Sequence, residues 1–228
     1  MTKTIWIIGI GKFGWRAYRR LAEASEDTRF VLVDPLQENL QRAQGPRCTL
    51  IKSDGIIYLQ ENLHTTNKPD WIIPALPIHL AAEWCQVRLG VQRLRRCEIP
   101  PALDALLPNP MRGQDGNIYT SHADFKCPAD CEEPDDFCTI TRKPHKKSMF
   151  ALLEELNIPH FHSKVIRSCQ LGPGIGGYRP ESLFKLLADI RQSRTPLLVS
   201  TACRCHGVVT GFDGMTADRK IKRIIPEP

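Results

Sequence analysis

The 228-residue sequence predicts an α/β fold in which strands and helices alternate along a parallel sheet. Short apolar runs rich in β-branched residues recur through the first ninety positions, and each is followed by a segment with helical spacing. From residue 91 prolines and glycines replace this alternation, which indicates a boundary. We therefore predict a first domain over residues 1–97 and an appended C-terminal α/β segment over residues 98–228.

A glycine-rich turn joins the first predicted strand to the first predicted helix. The run TKTIWII leads into GIGKFG, and WRAYRRLAEASE continues with helical spacing. In this context Gly9 permits the tight turn, Gly11 lets the backbone approach a pyrophosphate, and Gly14 allows the helix to pack closely on the strand. The amide groups at the helix start, at Lys12 and Phe13, attract the anion. The turn therefore predicts a dinucleotide-binding site.

The second predicted strand, RFVLVD, ends in an acidic residue about twenty positions after the last glycine. A carboxylate at Asp34 can accept hydrogen bonds from both ribose hydroxyls of an adenosine, and it repels a 2′-phosphate. NAD(H) is therefore favoured over NADP(H), although Arg29 and Arg42 leave NADP(H) open as an alternative.

The segment PALPIH, after the fourth predicted strand, lies where many dehydrogenases bring a loop beneath the nicotinamide. This position makes Pro74 a candidate cofactor contact. His79 begins the next predicted helix and is a candidate proton-transfer group, with a pKa lowered by the helix N-terminus. The alternative for His79 is a helix cap or a surface residue.

Residues 1–90 resemble the NAD(P)-binding Rossmann-fold family, in particular the small nucleotide-binding domains of potassium-channel and potassium-transporter regulators. The three glycines of the turn and Asp34 match that pattern, whereas Ser53 and Asp54 replace its Gly-Asp pair. The resemblance implies a Rossmann-like parallel sheet and nucleotide binding, and it implies no particular reaction.

Nine cysteines are distributed unevenly, and two clusters lie in the second half of the chain. The stretch CPADCEEPDDFC at 127–138 holds three cysteines and five carboxylates, and CRCH at 203–206 holds two cysteines and a histidine. Crowded thiolates and carboxylates repel one another unless a cation neutralises them, so we predict that the two elements meet around a metal. The candidate ligands are Cys127, Cys131, Cys138, Cys203, Cys205 and His206.

Two metal groups suit these ligands. Structural zinc commonly uses C-x2-C spacing, whereas this loop has C-x3-C and C-x6-C. Closing a proline-rich loop with few apolar residues favours zinc, while three loop cysteines with a remote fourth keep an iron–sulfur cluster open. Without a metal, the cysteines would be packed thiols, with Cys203 or Cys205 as a nucleophile. The sequence thus predicts a cysteine-rich metal loop.

A second glycine-rich turn, GPGIGG at 172–177, predicts either a phosphate contact or a close-packed turn against a ligand or the first domain. The net charge of +6 is concentrated in basic patches at 88–96 and 141–147. Aromatic residues do not interleave with these patches, so nucleic-acid binding is not expected.

Together these features predict a cytoplasmic NAD(H)-dependent oxidoreductase acting on a small substrate. No apolar run is long enough for a membrane span, so no membrane contact is expected. The alternative is a non-catalytic nucleotide sensor, whose C-terminal part docks on a partner or on a second copy of the chain as a homodimer.

Overall fold

The computed structural model describes residues 2–45, 47–144 and 147–215, so His145 and Lys146 of the second basic patch lie outside the described residues. The first ninety residues form four strand–helix pairs. They are β1 (Lys3–Ile8), α1 (Lys12–Ala24), β2 (Thr28–Asp34), α2 (Gln37–Gln41), β3 (Cys48–Lys52), α3 (Gly55–Asn62), β4 (Trp71–Pro74) and α4 (Leu80–Leu89). The four strands pair in parallel in the order β3-β2-β1-β4. The predicted parallel sheet and α/β class are therefore confirmed.

The second half contains a larger, mixed sheet. Its elements are a 3-10 helix (Pro101–Leu106), β5 (Met111–Arg112), β6 (Ile118–Ser121), α5 (Met149–Glu154), β7 (His162–Arg167), β8 (Cys169–Gly172), β9 (Ile175–Gly177), α6 (Pro180–Gln192), β10 (Leu197–Ala202) and β11 (His206–Phe212). The strand order is β5-β6-β11-β10-β7, in which only β7 and β10 pair in parallel. β7 ends at Arg167, and β8 and β9 form a separate hairpin.

The turn between β1 and α1 requires its glycines for different reasons. Gly9 has a φ of +96°, and a Cβ on it would lie 2.8 Å from the carbonyl oxygen of Ala75. A Cβ on Gly14 would lie 1.8 Å from the carbonyl oxygen of Gly9, so α1 can pack on β1 only without a side chain there. A Cβ on Gly11, by contrast, meets no described atom within 4 Å. The middle glycine therefore borders open space.

The largest hydrophobic core joins both halves of the chain. Trp84 of α4 is fully buried beside Tyr178 and Leu183. The backbone of Ile72 in β4 exchanges two hydrogen bonds with Tyr178, at 2.9 and 3.0 Å. Apolar contacts therefore continue across the predicted division at residue 97, and that division stays a prediction.

Candidate metal centre and adjoining cavity

A cavity of about 1340 Å³ that opens to solvent is lined by residues of α1, the 127–138 loop and the 203–206 turn between β10 and β11. All six predicted metal ligands line it, namely Cys127, Cys131, Cys138, Cys203, Cys205 and His206. Lys12, Phe13 and Arg16, from the beginning of α1, line the same cavity. The two cysteine clusters and the first turn of α1 therefore face one space.

Arginines on α1 hold the 127–138 loop against the first half of the chain. The guanidinium groups of Arg16 and Arg20 donate hydrogen bonds to the carbonyl oxygen of Ala129, at 3.3 and 3.2 Å. Arg20 also donates to the carbonyl oxygen of Pro173 at 2.7 Å, which ties the β8–β9 turn to the same helix. These contacts place the loop beside the glycine turn.

The β8–β9 hairpin supports the loop from a second side. The amide of Gly174 donates to the carbonyl oxygen of Cys131 at 2.9 Å, and the side-chain amide of Gln170 donates to the same oxygen at 2.7 Å. Gly174 has a φ of +69°, and a Cβ on it would lie 2.1 Å from the carbonyl oxygen of Ala129. The GPGIGG segment is thus a close-packed turn against the cysteine-rich loop.

The 203–206 turn is fixed by backbone hydrogen bonds from two other elements. The amide of Met149, at the beginning of α5, donates to the carbonyl oxygen of Arg204 at 2.7 Å. The amide of His122, after β6, donates to the carbonyl oxygen of Cys205 at 2.9 Å. These bonds hold the backbone of the turn against α5 and the end of β6.

Cys205 lies with the three loop cysteines. Burial, followed by the nearby Glu133 carboxylate and the thiols of Cys131, Cys127 and Cys138, raises the pKa of the Cys205 thiol to about 12. Burial likewise raises the pKa of Cys127, again with contributions from Cys131 and Cys138. We call Cys127, Cys131, Cys138 and Cys205 the four-cysteine group.

Cys203 lies instead with a histidine and a glutamate. Its sulfur is 3.7 Å from Nδ1 of His206, and the atoms of Glu133, Cys203 and His206 that could bind a metal all lie within 4.8 Å of one another. We call these residues the Glu–Cys–His group. Within the part of the chain that the structure describes, it is the one set of three or more such side chains that meets this limit. The sulfurs of the four-cysteine group are therefore more widely spaced than the ligand atoms of the Glu–Cys–His group.

Glu133 is the site residue whose position the sequence did not reveal. In the sequence it is one of five acids that add negative charge to the loop. Only its position between two cysteines indicates a possible role as a ligand. In the structure its carboxylate accepts a hydrogen bond from the amide of Cys205 at 3.1 Å. Its own amide donates to the sulfur of Cys131 at 3.4 Å. Glu133 thus contacts both groups.

The predicted ribose-binding residue, Asp34, is only 4% exposed. One carboxylate oxygen accepts a hydrogen bond from the amide of Ile10 at 2.6 Å. The other accepts from the amide of Leu36 at 2.9 Å and from the side chain of Asn39 at 3.0 Å. Asp34 therefore joins the glycine turn to the end of β2, and its contact with a ribose stays a prediction.

The predicted nicotinamide loop packs on the glycine turn. Pro74 ends β4 opposite Ile8 of β1, and the amide of Ala75 donates to the carbonyl oxygen of Ile8 at 2.8 Å. The Leu76 side chain would lie 2.8 Å from a Cβ on Gly9. The structure thus brings the 74–76 segment and the first glycine together.

His79 is buried against strands β10 and β11 of the second sheet. It is 2% exposed, and its Nδ1 and Nε2 atoms lie 2.7 Å from the hydroxyl of Thr210 and 2.9 Å from that of Thr201. Burial, followed by the charge of Arg96, lowers the pKa of His79 to about 3. His79 is not among the described residues that line the cavity. This position lends no support to a proton-transfer role. The low pKa that the sequence predicts is present, but its main cause is burial and not the helix N-terminus.

Comparisons with known proteins place the chain in a family. It belongs to the family described as "Uncharacterized protein, C-terminal domain", whose model matches residues 81–214 and so includes every residue of the four-cysteine group and of the Glu–Cys–His group. An uncharacterized protein from Archaeoglobus fulgidus is 29% identical over 224 residues, which cover 90% of this chain and 97% of that protein. No solved structure matches the chain. Among the described residues, no helix is both long and apolar enough to cross a membrane.

Proposed function

We propose that the chain is an NAD(H)-dependent oxidoreductase with a cysteine-ligated metal site, acting on a small substrate in the reducing cytoplasm. One observation carries the proposal: the cysteine clusters and the beginning of α1, next to the glycine turn, line one cavity of about 1340 Å³. A substrate in that cavity would be close to both a metal and a dinucleotide.

The four-cysteine group supports the metal part of the proposal. Four thiols brought together from the loop and the remote turn are the ligand set of both structural zinc and iron–sulfur clusters. A single zinc ion would need the loop to close further, because its bonds of about 2.3 Å require sulfurs about 3.8 Å apart. A cluster spreads its ligands more widely, so the open arrangement keeps the iron–sulfur alternative beside zinc.

The glycine turn supports the dinucleotide part. It follows β1 at the carboxyl edge of the parallel sheet, where Rossmann-type folds bind their ligands. The open space at Gly11 leaves room for a pyrophosphate against the backbone, with the amides of Lys12 and Phe13 at the beginning of α1 as donors. Bound NAD(H) would supply the hydride acceptor or donor, and these residues would hold its pyrophosphate.

Metal analysis of the purified protein tests the four-cysteine group. We expect metal in the wild type, and we expect Cys127→Ser to lose it. Cys169→Ser is the matched control, because Cys169 lies in β8 and not among the described cavity residues. Broad visible absorption with bound iron would identify a cluster, whereas colourless protein with zinc would identify zinc. A metal-free wild type with freely reactive thiols would overturn this part.

Titration with NADH and NADPH tests the dinucleotide site. Gly11→Val adds a side chain where no described atom lies within 4 Å of the Cβ, so the fold should be retained. The thermal midpoint should fall slightly, because valine is a poorer N-cap of α1 than glycine. We expect NADH affinity to fall at least about tenfold, because the side chain occupies the space of the pyrophosphate. Absence of NADH and NADPH binding to the wild type would overturn the proposal.

The burial of His79 favours a second candidate, a non-catalytic nucleotide sensor. Both ring nitrogens are hydrogen-bonded to buried hydroxyl groups, which leaves neither of them free to exchange a proton with a substrate. Oxidation of NADH in the presence of small carbonyl compounds separates the two functions. Turnover supports the oxidoreductase, while NADH binding without turnover supports the sensor.

A further inference from the structure

We propose that Glu133, Cys203 and His206 form a second metal site, separate from the four-cysteine group, which binds a zinc-type divalent cation and keeps one coordination position open to the cavity. The role of the open position rests on the proposed oxidoreductase function. The binding of the cation does not depend on that function.

The spacing of the ligand atoms fits one ion. Bonds of about 2.3 Å to sulfur and 2.0–2.1 Å to nitrogen place tetrahedral sulfur and nitrogen ligands about 3.6 Å apart. The sulfur of Cys203 and Nδ1 of His206 are 3.7 Å apart, which matches this separation. All three ligand atoms lie within 4.8 Å of one another, so adjustments of about 1 Å bring the carboxylate into bonding range.

The ligand types select the class of metal. A thiolate, an imidazole and a carboxylate are the three kinds of protein ligand that zinc accepts. Calcium and magnesium prefer oxygen ligands alone, so the sulfur of Cys203 disfavours them. One thiolate and one carboxylate also neutralise a divalent charge, which makes the loaded site electrically balanced.

The backbone fixes two of the ligands in advance. Glu133 has a φ of +48°, a left-handed conformation that a glutamate rarely adopts, and its hydrogen bonds to Cys205 and Cys131 hold it there. The amide of His206 donates to the sulfur of Cys203 at 3.4 Å, which stabilises a thiolate. The conformation of Glu133 is thus maintained by the same loop and turn that form the four-cysteine group.

Three protein ligands leave one tetrahedral position free. Zinc sites with a catalytic role keep such a position for water or a substrate oxygen, whereas structural zinc sites fill all four. All three side chains line the cavity, and His206 is exposed. The ligand expected at the open position is therefore a water molecule or a hydroxyl or carbonyl oxygen of the substrate, which the metal would polarise.

Counting zinc and iron separately in the purified full-length chain tests the second site. Glu133→Gln keeps the shape of the side chain and removes its charge, and His206→Ala removes the imidazole. Their matched controls are Glu132→Gln, at the exposed residue next to Glu133, and His162→Ala, at an exposed histidine at the beginning of β7. Each protein is loaded with zinc and dialysed before counting, and Co²⁺ replaces zinc in parallel samples to report tetrahedral coordination by its visible bands.

We expect Glu133→Gln and His206→Ala to lose one zinc per chain and the cobalt bands of that site, while both controls keep them. Cys127→Ser should lose the metal of the four-cysteine group and retain this zinc. Full zinc content in both site variants would overturn the proposal. The proposal would also be overturned if Cys127→Ser lost the same metal as Glu133→Gln and His206→Ala, since that result would mean one shared site. If the metal counts are as expected but the wild type does not bind NADH, the proposed function is overturned and the second metal site is not.

Discussion

The hydrogen bonds around His79 determine which of its ring nitrogens carries the proton. The hydroxyl of Thr210 and a guanidinium nitrogen of Arg96 both contact one side-chain atom of Asn117, at 2.5 and 3.1 Å. Arg96 can only donate, so that atom is the amide oxygen and Thr210 also donates to it. Thr210 must then accept from Nδ1–H of His79. Nε2 is left to accept a hydrogen bond from Thr201, so the neutral ring is fully satisfied.

This neutral histidine makes the stability of the fold depend on pH. The pKa of His79 falls from 6.5 in the unfolded chain to about 3 in the fold, so protons bind preferentially to the unfolded chain between these values. The contribution of His79 is complete above pH 6.5 and is lost progressively as the pH falls toward 3. We expect wild-type unfolding free energy to fall by about 2 kcal/mol more than that of His79→Gln between pH 7 and pH 5.

Urea denaturation at a series of pH values measures this difference. Comparing how the unfolding free energy of each protein changes with pH removes the pH-independent cost of the His79→Gln substitution itself. Arg96 and Asp115 are the charged neighbours that act on the ring, and both are retained in the two proteins. Equal slopes for wild type and His79→Gln would show that the ring is not held neutral in the fold.

The contacts of Asp34 predict a loss of stability when its charge is removed. In Asp34→Asn one carboxylate oxygen becomes an amide donor, which then faces the amide of Ile10 or the two donors from Leu36 and Asn39. A buried donor left without an acceptor costs about 1–3 kcal/mol, and we expect a decrease of that size in urea denaturation. The exposed Asp27→Asn is the control. Unchanged stability with weaker NADH binding would instead assign Asp34 to the ribose.

At the scale of single elements, the β8–β9 turn determines how closely the cysteine-rich loop can pack. In Gly174→Ala an alanine must adopt a positive φ, and its Cβ would lie only 2.1 Å from the carbonyl oxygen of Ala129. Gly116→Ala is a matched control, because Gly116 has a φ of +77° and a Cβ there meets no described atom within 4 Å. Both variants bear the cost of the backbone conformation, and only Gly174→Ala displaces the loop.

We expect Gly174→Ala to lose at least about 1 kcal/mol more stability than Gly116→Ala, the usual range for an added methyl group in a packed site being 1–3 kcal/mol. Limited proteolysis should also cleave the 127–138 loop faster in Gly174→Ala. Equal stability and equal cleavage in the two variants would show that the hairpin does not support the loop.

The elements differ in how well the sequence predicts them. β1, the glycine turn and α1 are predicted correctly, because the apolar run and the glycines act locally. The sequence also predicts that the two cysteine clusters meet, because crowded thiolates and carboxylates repel one another unless they share a cation. In the structure both clusters line one cavity. The sequence does not predict the β8–β9 hairpin, since its turn contacts Cys131 and Arg20 of α1, which lie far from it along the chain.

The same distinction explains the individual site residues. The burial of His79 depends on Thr201 and Thr210, which lie 122 and 131 positions later in the chain. No local pattern indicates such partners. Glu133 similarly joins Cys203 and His206 only through the fold, and its positive φ is not visible in the sequence.

At the scale of the whole molecule, the buried core joins the first and second halves. Trp84 of α4 packs against Phe184 of α6 with ring centroids 6.2 Å apart, and Leu183 of the same helix is fully buried in that core. A structure that shares one core between its halves unfolds in a single cooperative transition. We therefore expect a change in α6 to destabilise the parallel sheet as well.

Leu183→Ala tests this coupling, because all four tryptophans of the chain, Trp6, Trp15, Trp71 and Trp84, precede residue 97 and report on the first half. Removing a buried leucine costs about 2–5 kcal/mol. The midpoint followed by tryptophan fluorescence should fall together with that followed by far-ultraviolet circular dichroism, since both report one transition. Ser182→Ala, at a half-buried position one residue earlier in α6, is the control. If the fluorescence midpoint stayed at its wild-type value while the dichroism midpoint fell, the two halves would unfold independently and the boundary near residue 97 would separate true domains.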